Sequence, residues 1–237
     1  MPTVVHRSSA PRLSAELIAQ WATVPTSIAA DLFRGRTLVD PAIRPLRPFI
    51  GRGRLAGNAV TAWCETADYG PVHHALAVAG PGDVILVEAG GRLDAAMIGE
   101  ILGGFARRKG LAGVAVNGAV RDVGTLTQWP DFAVFTRGTT PRGPSTVERG
   151  AVNASMVFAG VQVSPSDLVL GDDDGLVVIP RADAEQRIHA ALAMVKAEEE
   201  WKRAISSGAT TVDLFKVPPA ESRAETETGI AAHAGRS

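Results

Sequence analysis

Cysteine, net charge and long apolar runs are scarce in this sequence, and each scarcity excludes a class of protein. A single cysteine, Cys64, rules out an internal disulfide and fits a reducing compartment. The 24 basic and 25 acidic residues nearly cancel, which argues against a broad nucleic-acid surface. No apolar run could cross a membrane, and the N-terminal residues lack the apolar core of a signal peptide. We expect a cytoplasmic protein whose partners include neither a membrane nor a nucleic acid.

Several catalytic motifs are also absent. The sequence contains no G-x-x-x-x-G-K-[ST] phosphate loop, no H-E-x-x-H zinc motif, no paired C-x-x-C and no G-x-S-x-G. A zinc protease, a nicotinamide dehydrogenase or a serine hydrolase would each need unusual geometry here.

Strand-like and helix-like segments alternate through the middle of the chain. Val84–Val87 and Val114–Val116 are continuous apolar runs, typical of strands buried on both faces. Asp174-Gly175 predicts a hairpin turn, and residues 181–207 predict one long helix. The pattern favours a layered α/β domain with a mixed central sheet and helical extensions at its N- and C-terminal ends.

Near the start, residues 1–13 look irregular, Ser14 is a candidate N-cap for one helix, and Thr26 or Ser27 is a candidate N-cap for a second. Val147 is among the apolar residues that suggest several further short strands.

The segment around Gly99 supports two helix boundaries. One apolar stripe predicts a helix that begins near Ala95, and it consists of Met97, Ile98, Ile101, Leu102 and Phe105. A helix that begins at Gly99 would instead direct free backbone N–H groups at an anion. An anion site therefore requires the later start, or a break at Gly99.

Glu100, Arg121 and Asp122 carry the candidate chemistry. Arg121 and Asp122 directly follow a predicted buried strand, where sites of α/β proteins tend to form. Aspartate suits Mg²⁺ or Mn²⁺, and arginine can bind a carboxylate or a developing enolate. Neighbouring side chains in extended chain point apart, so we do not expect a simple Arg121–Asp122 ion pair. If strand and helix pack together, these groups can hold a divalent cation and an anionic substrate.

Each of these residues also has an ordinary structural interpretation. An Arg-Asp dipeptide in a loop is commonly a solvated pair, and Glu100 fits an exposed helix position. His73 and His74 are adjacent on a short predicted helix and cannot both face one ligand, although one of them could line a pocket. The run Asp172-Asp173-Asp174-Gly175 lacks the remaining EF-hand ligands and is better interpreted as a β-turn.

Taken in order, the motifs of this chain resemble those of the RraA-like family over most of residues 25–180. That family groups 4-hydroxy-4-methyl-2-oxoglutarate and 4-carboxy-4-hydroxy-2-oxoadipate aldolases, oxaloacetate decarboxylases and the regulator of ribonuclease E activity. The matching segments are Pro81–Val87, Gly99–Leu102, Asn117–Asp122, Phe135–Gly138 and Asp172–Pro180.

The resemblance implies a swivelling-domain-like α/β sandwich that assembles as a homotrimer or a dimer of trimers, with sites at subunit interfaces. It implies that Asp122 ligates a divalent metal, that Arg121 contacts the pyruvyl oxygen, and that Glu100 hydrogen-bonds metal-bound water. It also implies that backbone amides of Gly99, Glu100, Ile101 and Leu102 hold the carboxylate of a small 2-oxo acid.

The resemblance also divides the chain. We expect an N-terminal extension over residues 1–24, the α/β domain over 25–180, a C-terminal helix and extension over 181–216, and a disordered tail over 217–237. The tail prediction rests on its richness in Pro, Ala, Glu and Thr.

Two functions remain open at this point. The first is a metal-dependent lyase that forms a pyruvate enolate, with Mg²⁺, Mn²⁺ or another divalent metal as cofactor and a water relayed by Glu100 as the expected proton carrier. The second is a non-catalytic regulator that binds a ribonuclease. Asp122 argues for catalysis, because the regulatory branch typically lacks it. The aldolases often carry an acid where this chain has Thr125, so the exact substrate stays open. A menaquinone-pathway methyltransferase ranks last, because no Gly-rich nucleotide loop follows the first strand.

Overall fold

A computed structural model describes residues 2–7, 10–49, 53–65 and 68–221. Within these ranges the strands are β1 (Val4–Val5), β2 (Arg44–Pro45), β3 (Leu55–Cys64), β4 (Asp83–Glu88), β5 (Ala96–Ile98), β6 (Gly113–Val120), β7 (Ala133–Thr139), β8 (Gly150–Val152), β9 (Met156–Phe158), β10 (Val161–Val163), β11 (Leu168–Asp172) and β12 (Gly175–Ile179). The helices are α1 (Ala15–Trp21), α2 (Thr26–Leu32), α3 (Gly70–Val78), α4 (Glu100–Arg108), α5 (Val123–Leu126), α6 (Arg181–Ser206) and α7 (Thr211–Leu214).

Parallel strands form the centre of the main sheet, in the order β3-β4-β6-β7. β4 and β6 are buried along their whole length, which explains why their sequences are nearly continuous apolar runs. Antiparallel neighbours extend the sheet, because β8 and β11 pair with β3 while β2 pairs with β7. The sheet is therefore mixed and the fold is α/β, which confirms the predicted class.

Alternate residues of β4 supply two different cores. Ile85 and Val87 pack with α3 and α4, whereas Val84 and Leu86 pack with β9, β10 and β12. A third apolar cluster joins α1, α2 and the first half of α6 to the β11–β12 hairpin. The functional residues considered below lie on the face of the sheet that carries α3 and α4.

The β11–β12 hairpin confirms the predicted turn at Asp174-Gly175. Asp172 and Gly175 pair across its end. The turn carboxylates have structural partners, because Asp172 accepts hydrogen bonds from Thr26 and Asp173 accepts one from the Phe49 N–H at 2.9 Å. These contacts explain the acidic run without a calcium ion.

Helix caps agree with the sequence in one case and differ in another. Ser14 Oγ accepts a hydrogen bond from the Leu17 N–H at 3.2 Å and caps α1, as predicted. Thr26 and Ser27 do not cap α2, which has no side-chain cap. The predicted cap is wrong because the Thr26 hydroxyl donates to Asp172 at 2.5 Å instead.

Two loop predictions also need correction. Residues 1–13, predicted to be irregular, contain β1, which pairs in parallel with β8. Val147, predicted to be a strand residue, lies in a loop and is exposed. Both errors involve segments too short to show a hydrophobic period.

The described residues divide into two compact units, one that ends at Val195 and one that begins at Lys196. In the second unit, the rings of Trp201 and Phe215 meet edge to face at 5.3 Å between centroids. Of the predicted disordered tail, residues 217–221 form neither helix nor strand, and residues 222–237 lie outside the described ranges. No helix among the described residues is long and apolar enough to cross a bilayer.

Candidate functional site

Two strand ends meet where the candidate residues lie. β5 runs parallel to the last part of β6, with Ala96 opposite Ala119 and Ile98 opposite Val120. The Arg121 N–H donates to the Ile98 carbonyl at 3.0 Å. The residues that follow the two strands are therefore neighbours, although about twenty positions separate them in sequence. Glu100 begins α4 on one side, and Asp122 precedes α5 on the other.

The helix α4 begins at Glu100, with Gly99 in extended conformation as its N-cap. The later of the two predicted starts is thus confirmed, and the start near Ala95 is wrong. Met97 and Ile98 belong to β5 instead. The prediction failed here because a three-residue apolar strand can match the apolar stripe of a helical turn. Among the described residues, the backbone N–H groups of Ile101 and Leu102 have no hydrogen-bond acceptor. Free N–H groups at a helix N-terminus are suited to bind an anion.

Asp122 has left-handed backbone angles, φ 58° and ψ 40°. This conformation turns its side chain toward α4, where Oδ2 accepts a hydrogen bond from the Glu100 N–H at 2.9 Å. The same oxygen lies 3.8 Å from Arg121 Nε. The expectation that Arg121 and Asp122 point apart is therefore wrong, because Asp122 is not in extended conformation.

The side chain of Glu100 is hydrogen-bonded to α5. Its Oε2 accepts a hydrogen bond from the Thr125 hydroxyl at 3.0 Å, on the short helix α5. Thr125 thus supports Glu100 at the position where the aldolases often carry an acid. The role of Glu100 as a catalytic residue stays a prediction.

Arg121 packs against the segment that joins β7 to β8. A Cβ at Gly143 would lie 2.8 Å from Arg121 Nη1, so this side of the guanidinium is in close contact with backbone. The Arg121 side chain nevertheless stays 44% exposed, which leaves donors free for a ligand.

A cavity of about 210 Å³ opens beside these groups. Five of the six predicted site residues line it, namely Gly99, Ile101, Leu102, Arg121 and Asp122. Glu100 does not. The rest of the lining consists of Tyr69, His73, Ala96, Met97 and Pro144, of which sequence reasoning had named only His73, as one of two histidines that could line a pocket. Of the two adjacent histidines only His73 lines the cavity, as their spacing on one helix requires.

His73 lies against an aromatic ring. The centroids of the His73 and Tyr69 rings are 4.8 Å apart with 59° between the planes. Partial burial of the imidazole lowers the pKa of His73, and the charge of neighbouring His74 lowers it further. Both effects favour the neutral form of the imidazole.

A hydrogen-bond network around Asn117 anchors β6 a few residues before its end at the site. Asn117 Nδ2 donates to both carboxylate oxygens of Glu88, at 2.8 and 2.9 Å, and its Oδ1 accepts from Arg137 Nε at 2.8 Å. The register between β6 and β7 shifts between Val116 and Ala119, just after this anchor. Asn117 and Arg137 therefore hold β6 in place a few residues before Arg121 and Asp122.

The donor set fits a lightly coordinated cation. No group of three or more His, Cys, Asp or Glu side chains in the described part of the chain could hold a metal ion. Asp122 Oδ2 already accepts from Glu100, while Oδ1 accepts no hydrogen bond from the described residues. Mg²⁺ is commonly held by one or two carboxylates and keeps several waters, so a single free carboxylate oxygen suits it.

A larger groove of about 510 Å³ runs beside Phe49, Leu55 and Ala133. Its charged groups are already paired, because Arg54 lies 3.3 Å from Asp172 and Asp131 lies 2.7 Å from Arg107. The smaller cavity is therefore the better candidate site.

Comparison with known proteins places this geometry in a family. The RraA-like family model, described as Aldolase/RraA, matches residues 25–178. The chain belongs to the RraA-like family. Asp122, Arg121 and the α4 terminus all fall within the matched range.

The relatives of this RraA-like chain include proteins named as aldolases. A Halalkalibacterium halodurans protein, provisionally named 4-hydroxy-4-methyl-2-oxoglutarate aldolase, is 32% identical over 84% of this chain and 93% of its own length. A Thermus thermophilus protein named 4-hydroxy-4-methyl-2-oxoglutarate aldolase is 36% identical over 56% of this chain and 80% of its own.

A solved structure in the family carries a different description. Streptomyces coelicolor RraAS2, described as an unusual member of the RNase ES inhibitor RraA protein family, superposes with a TM-score of 0.72. It is 27% identical and covers 81% of this chain and 98% of its own.

Proposed function

We propose that this chain is a divalent-metal-dependent lyase that cleaves a C–C bond of a small 2-oxo acid through a pyruvate enolate. The substrate class is that of 4-hydroxy-4-methyl-2-oxoglutarate, with oxaloacetate as a substrate for decarboxylation. The observation that carries the proposal is the convergence of Asp122, Arg121 and the free N–H groups of α4 on one cavity. The names of the relatives support an aldolase-like lyase.

Each of these groups has a part in holding the substrate. The N–H groups of Ile101 and Leu102 bind the carboxylate next to the keto group, because a helix N-terminus attracts anions. Arg121 donates to the keto oxygen, where negative charge develops as the C–C bond breaks. Asp122 supplies the carboxylate for Mg²⁺ or Mn²⁺. The cation, when bound, acts as a Lewis acid toward the developing enolate.

One enolate accounts for both reactions. In the aldol cleavage, the bond between C3 and C4 breaks, its electrons form the C2–C3 double bond, and C4 becomes a carbonyl carbon. In the decarboxylation of oxaloacetate, the same electrons come from the bond to the departing CO₂. Arg121 stabilises the same charge on the former keto oxygen in both cases.

A non-catalytic role is the second candidate, because RraAS2 is described as belonging to a family of ribonuclease inhibitors. A regulator needs a surface for a protein partner, and such a surface gives no role to Asp122, which lines a cavity beside a helix terminus and whose Oδ1 accepts no hydrogen bond from the described residues. The arrangement around Asp122 therefore favours the lyase.

Pyruvate release, coupled to a dehydrogenase, tests the proposal. Oxaloacetate and 4-hydroxy-4-methyl-2-oxoglutarate are supplied separately, each with Mg²⁺ or with EDTA. We expect turnover with Mg²⁺ that EDTA abolishes. Turnover that persists in EDTA would contradict the metal requirement, and no turnover on either substrate would favour the regulator.

Two variants connect the activity to the site. Asp122→Asn keeps an oxygen for the Glu100 N–H but removes the charge, so it should fold normally and lose metal-dependent turnover. Arg121→Lys removes the planar fork and should lower turnover by about 10²-fold. Near-normal turnover in both variants would contradict the assignment.

A further inference from the structure

Aldol cleavage needs one group that the site described so far does not supply. The C4 hydroxyl must lose its proton as the C3–C4 bond breaks. A guanidinium such as that of Arg121 offers donors and no acceptor, and Asp122 is committed to the α4 terminus and, in the proposed function, to the cation. Glu100 bonds to Thr125 and does not line the cavity within this chain. Apart from a water relayed by Glu100, a base supplied by this chain has to come from the rest of the cavity lining.

We propose that His73 is the general base that takes the C4 hydroxyl proton in aldol cleavage, an assignment that rests on the proposed lyase function. Of the residues that line the cavity, Tyr69, His73, Arg121 and Asp122 carry ionisable side chains. A phenol is a poor acceptor near neutral pH, so His73 remains.

The position of His73 suits this role. With the substrate carboxylate at the α4 terminus and the keto oxygen at Arg121, the remainder of the molecule extends into the cavity. His73, Tyr69 and Pro144 line that same cavity from α3 and from the segment before β8. Packing of the imidazole against the Tyr69 ring at 4.8 Å limits its orientation.

The charges near His73 favour a neutral ring. His74 follows it on α3, Arg121 lies on the same cavity, and Lys109 Nζ donates to the carbonyls of Leu76 and Ala77 at the end of α3. Asp122 is the acidic group of the cavity lining. Partial burial and His74 lower the pKa of His73, so its free nitrogen can accept a proton at pH 7.

The step balances without a further reactant. The C4 hydroxyl proton moves to an imidazole nitrogen, the oxygen electrons form the C4 carbonyl, and the C3–C4 pair becomes the enolate double bond. The imidazolium then releases the proton to solvent, and C3 of the enolate takes up a proton from solvent in both reactions. Cleavage of 4-hydroxy-4-methyl-2-oxoglutarate in this way yields two molecules of pyruvate.

Oxaloacetate provides an internal control, because its decarboxylation has no hydroxyl proton to remove. His73→Gln keeps hydrogen-bonding groups but cannot serve as a base. We expect this variant to lower kcat for aldol cleavage by about 10²-fold or more relative to kcat for decarboxylation. His74→Gln changes the adjacent histidine, which does not line the cavity, and should leave the ratio of the two rates at the wild-type value.

The remaining outcomes overturn the assignment in distinguishable ways. Equal loss of both reactions in His73→Gln, with unchanged thermal melting, would mean that His73 binds substrate and is not the base. An unchanged ratio in His73→Gln, with a changed ratio in Glu100→Gln, would assign the proton to a water relayed by Glu100. Wild-type protein inactive on both substrates would overturn the lyase function itself.

Discussion

At position 99 a glycine is required by the site and not by its own backbone. Its φ of −136° is open to any residue, but a Cβ there would overlap Asp122 Oδ2 and lie 2.9 Å from Arg121 Cγ. The side chain would therefore displace both residues that are proposed to handle the enolate. Gly99 packs against Arg121 and Asp122, which are distant from it in sequence. The sequence alone therefore indicated only a helix start at this position.

Gly99→Ala should lower turnover by about 10²-fold, because a shift of about 1 Å in a reacting group has an effect of that size. The measurement is kcat/KM for pyruvate release, with far-UV circular dichroism to check folding. Gly104→Ala, on the same helix, is the matched control. Its Cβ would lie 3.6 Å from Trp129, an ordinary contact, so activity should be kept. Wild-type activity in Gly99→Ala would mean that Asp122 and Arg121 can move without consequence.

At the scale of the element, the segment from Thr140 to Arg149 depends on one buried carboxylate. Asp68 is fully buried and accepts hydrogen bonds from Arg149 Nε at 2.9 Å and from the Glu148 N–H at 3.2 Å. The same segment carries Pro144 into the cavity wall. Asp68 precedes α3, so it ties the two walls of the site together.

Asp68→Asn should lower the free energy of unfolding by about 1.5–3 kcal/mol at pH 7, because charge-assisted hydrogen bonds are lost. A side-chain hydrogen bond with Thr146, together with the bonds to Glu148 and Arg149, lowers the pKa of Asp68 in the folded protein. This contribution is therefore complete above the unfolded pKa of about 3.9 and disappears as the pH falls through the lower folded value.

Denaturant unfolding at pH 7 and at successively lower pH measures the difference between Asp68→Asn and wild type. Asp94→Asn provides the comparison, since it removes an exposed ion pair with Arg92 and should change stability little. A difference for Asp68→Asn that stays constant as the pH falls would contradict the argument.

The success of sequence-based prediction also differs between elements. Long buried strands such as β4 and β6 were predicted because a continuous apolar run bounded by turns has few other interpretations. β5 was not, since its three residues satisfy the period of a helix equally well. Arg121 and Asp122 were found because they follow a strand directly. Tyr69 and Pro144 were not assigned, because they reach the cavity from segments distant in sequence. For His73 and His74 the sequence indicated only that one of the two could line a pocket.

At the scale of the whole molecule, exposed apolar side chains favour assembly. Ile101 is 76% exposed beside the cavity, and Trp63 and Val157 are 42% and 55% exposed. Exposed apolar side chains of this size are common at contacts between proteins when they form a continuous patch. We propose that copies of this chain cover them in a homotrimer or a dimer of trimers.

Light scattering on the purified protein should give the mass of three or six chains of 24.7 kDa each. The mass should persist on dilution to the concentration used in the pyruvate assay. A monomer mass at that concentration, with full activity, would contradict the proposed assembly.

The cavity is lined by residues from several separate segments of the chain, and this has an evolutionary consequence. The groups proposed to stabilise the enolate come from two adjoining strand ends and from backbone N–H groups, which few substitutions can alter. Tyr69 and Pro144 also line the cavity, from separate segments. Mutation at these two positions can therefore reshape substrate preference while the groups that stabilise the enolate and His73 are kept. Divergence within such a lineage should concentrate around Tyr69 and in the segment before β8.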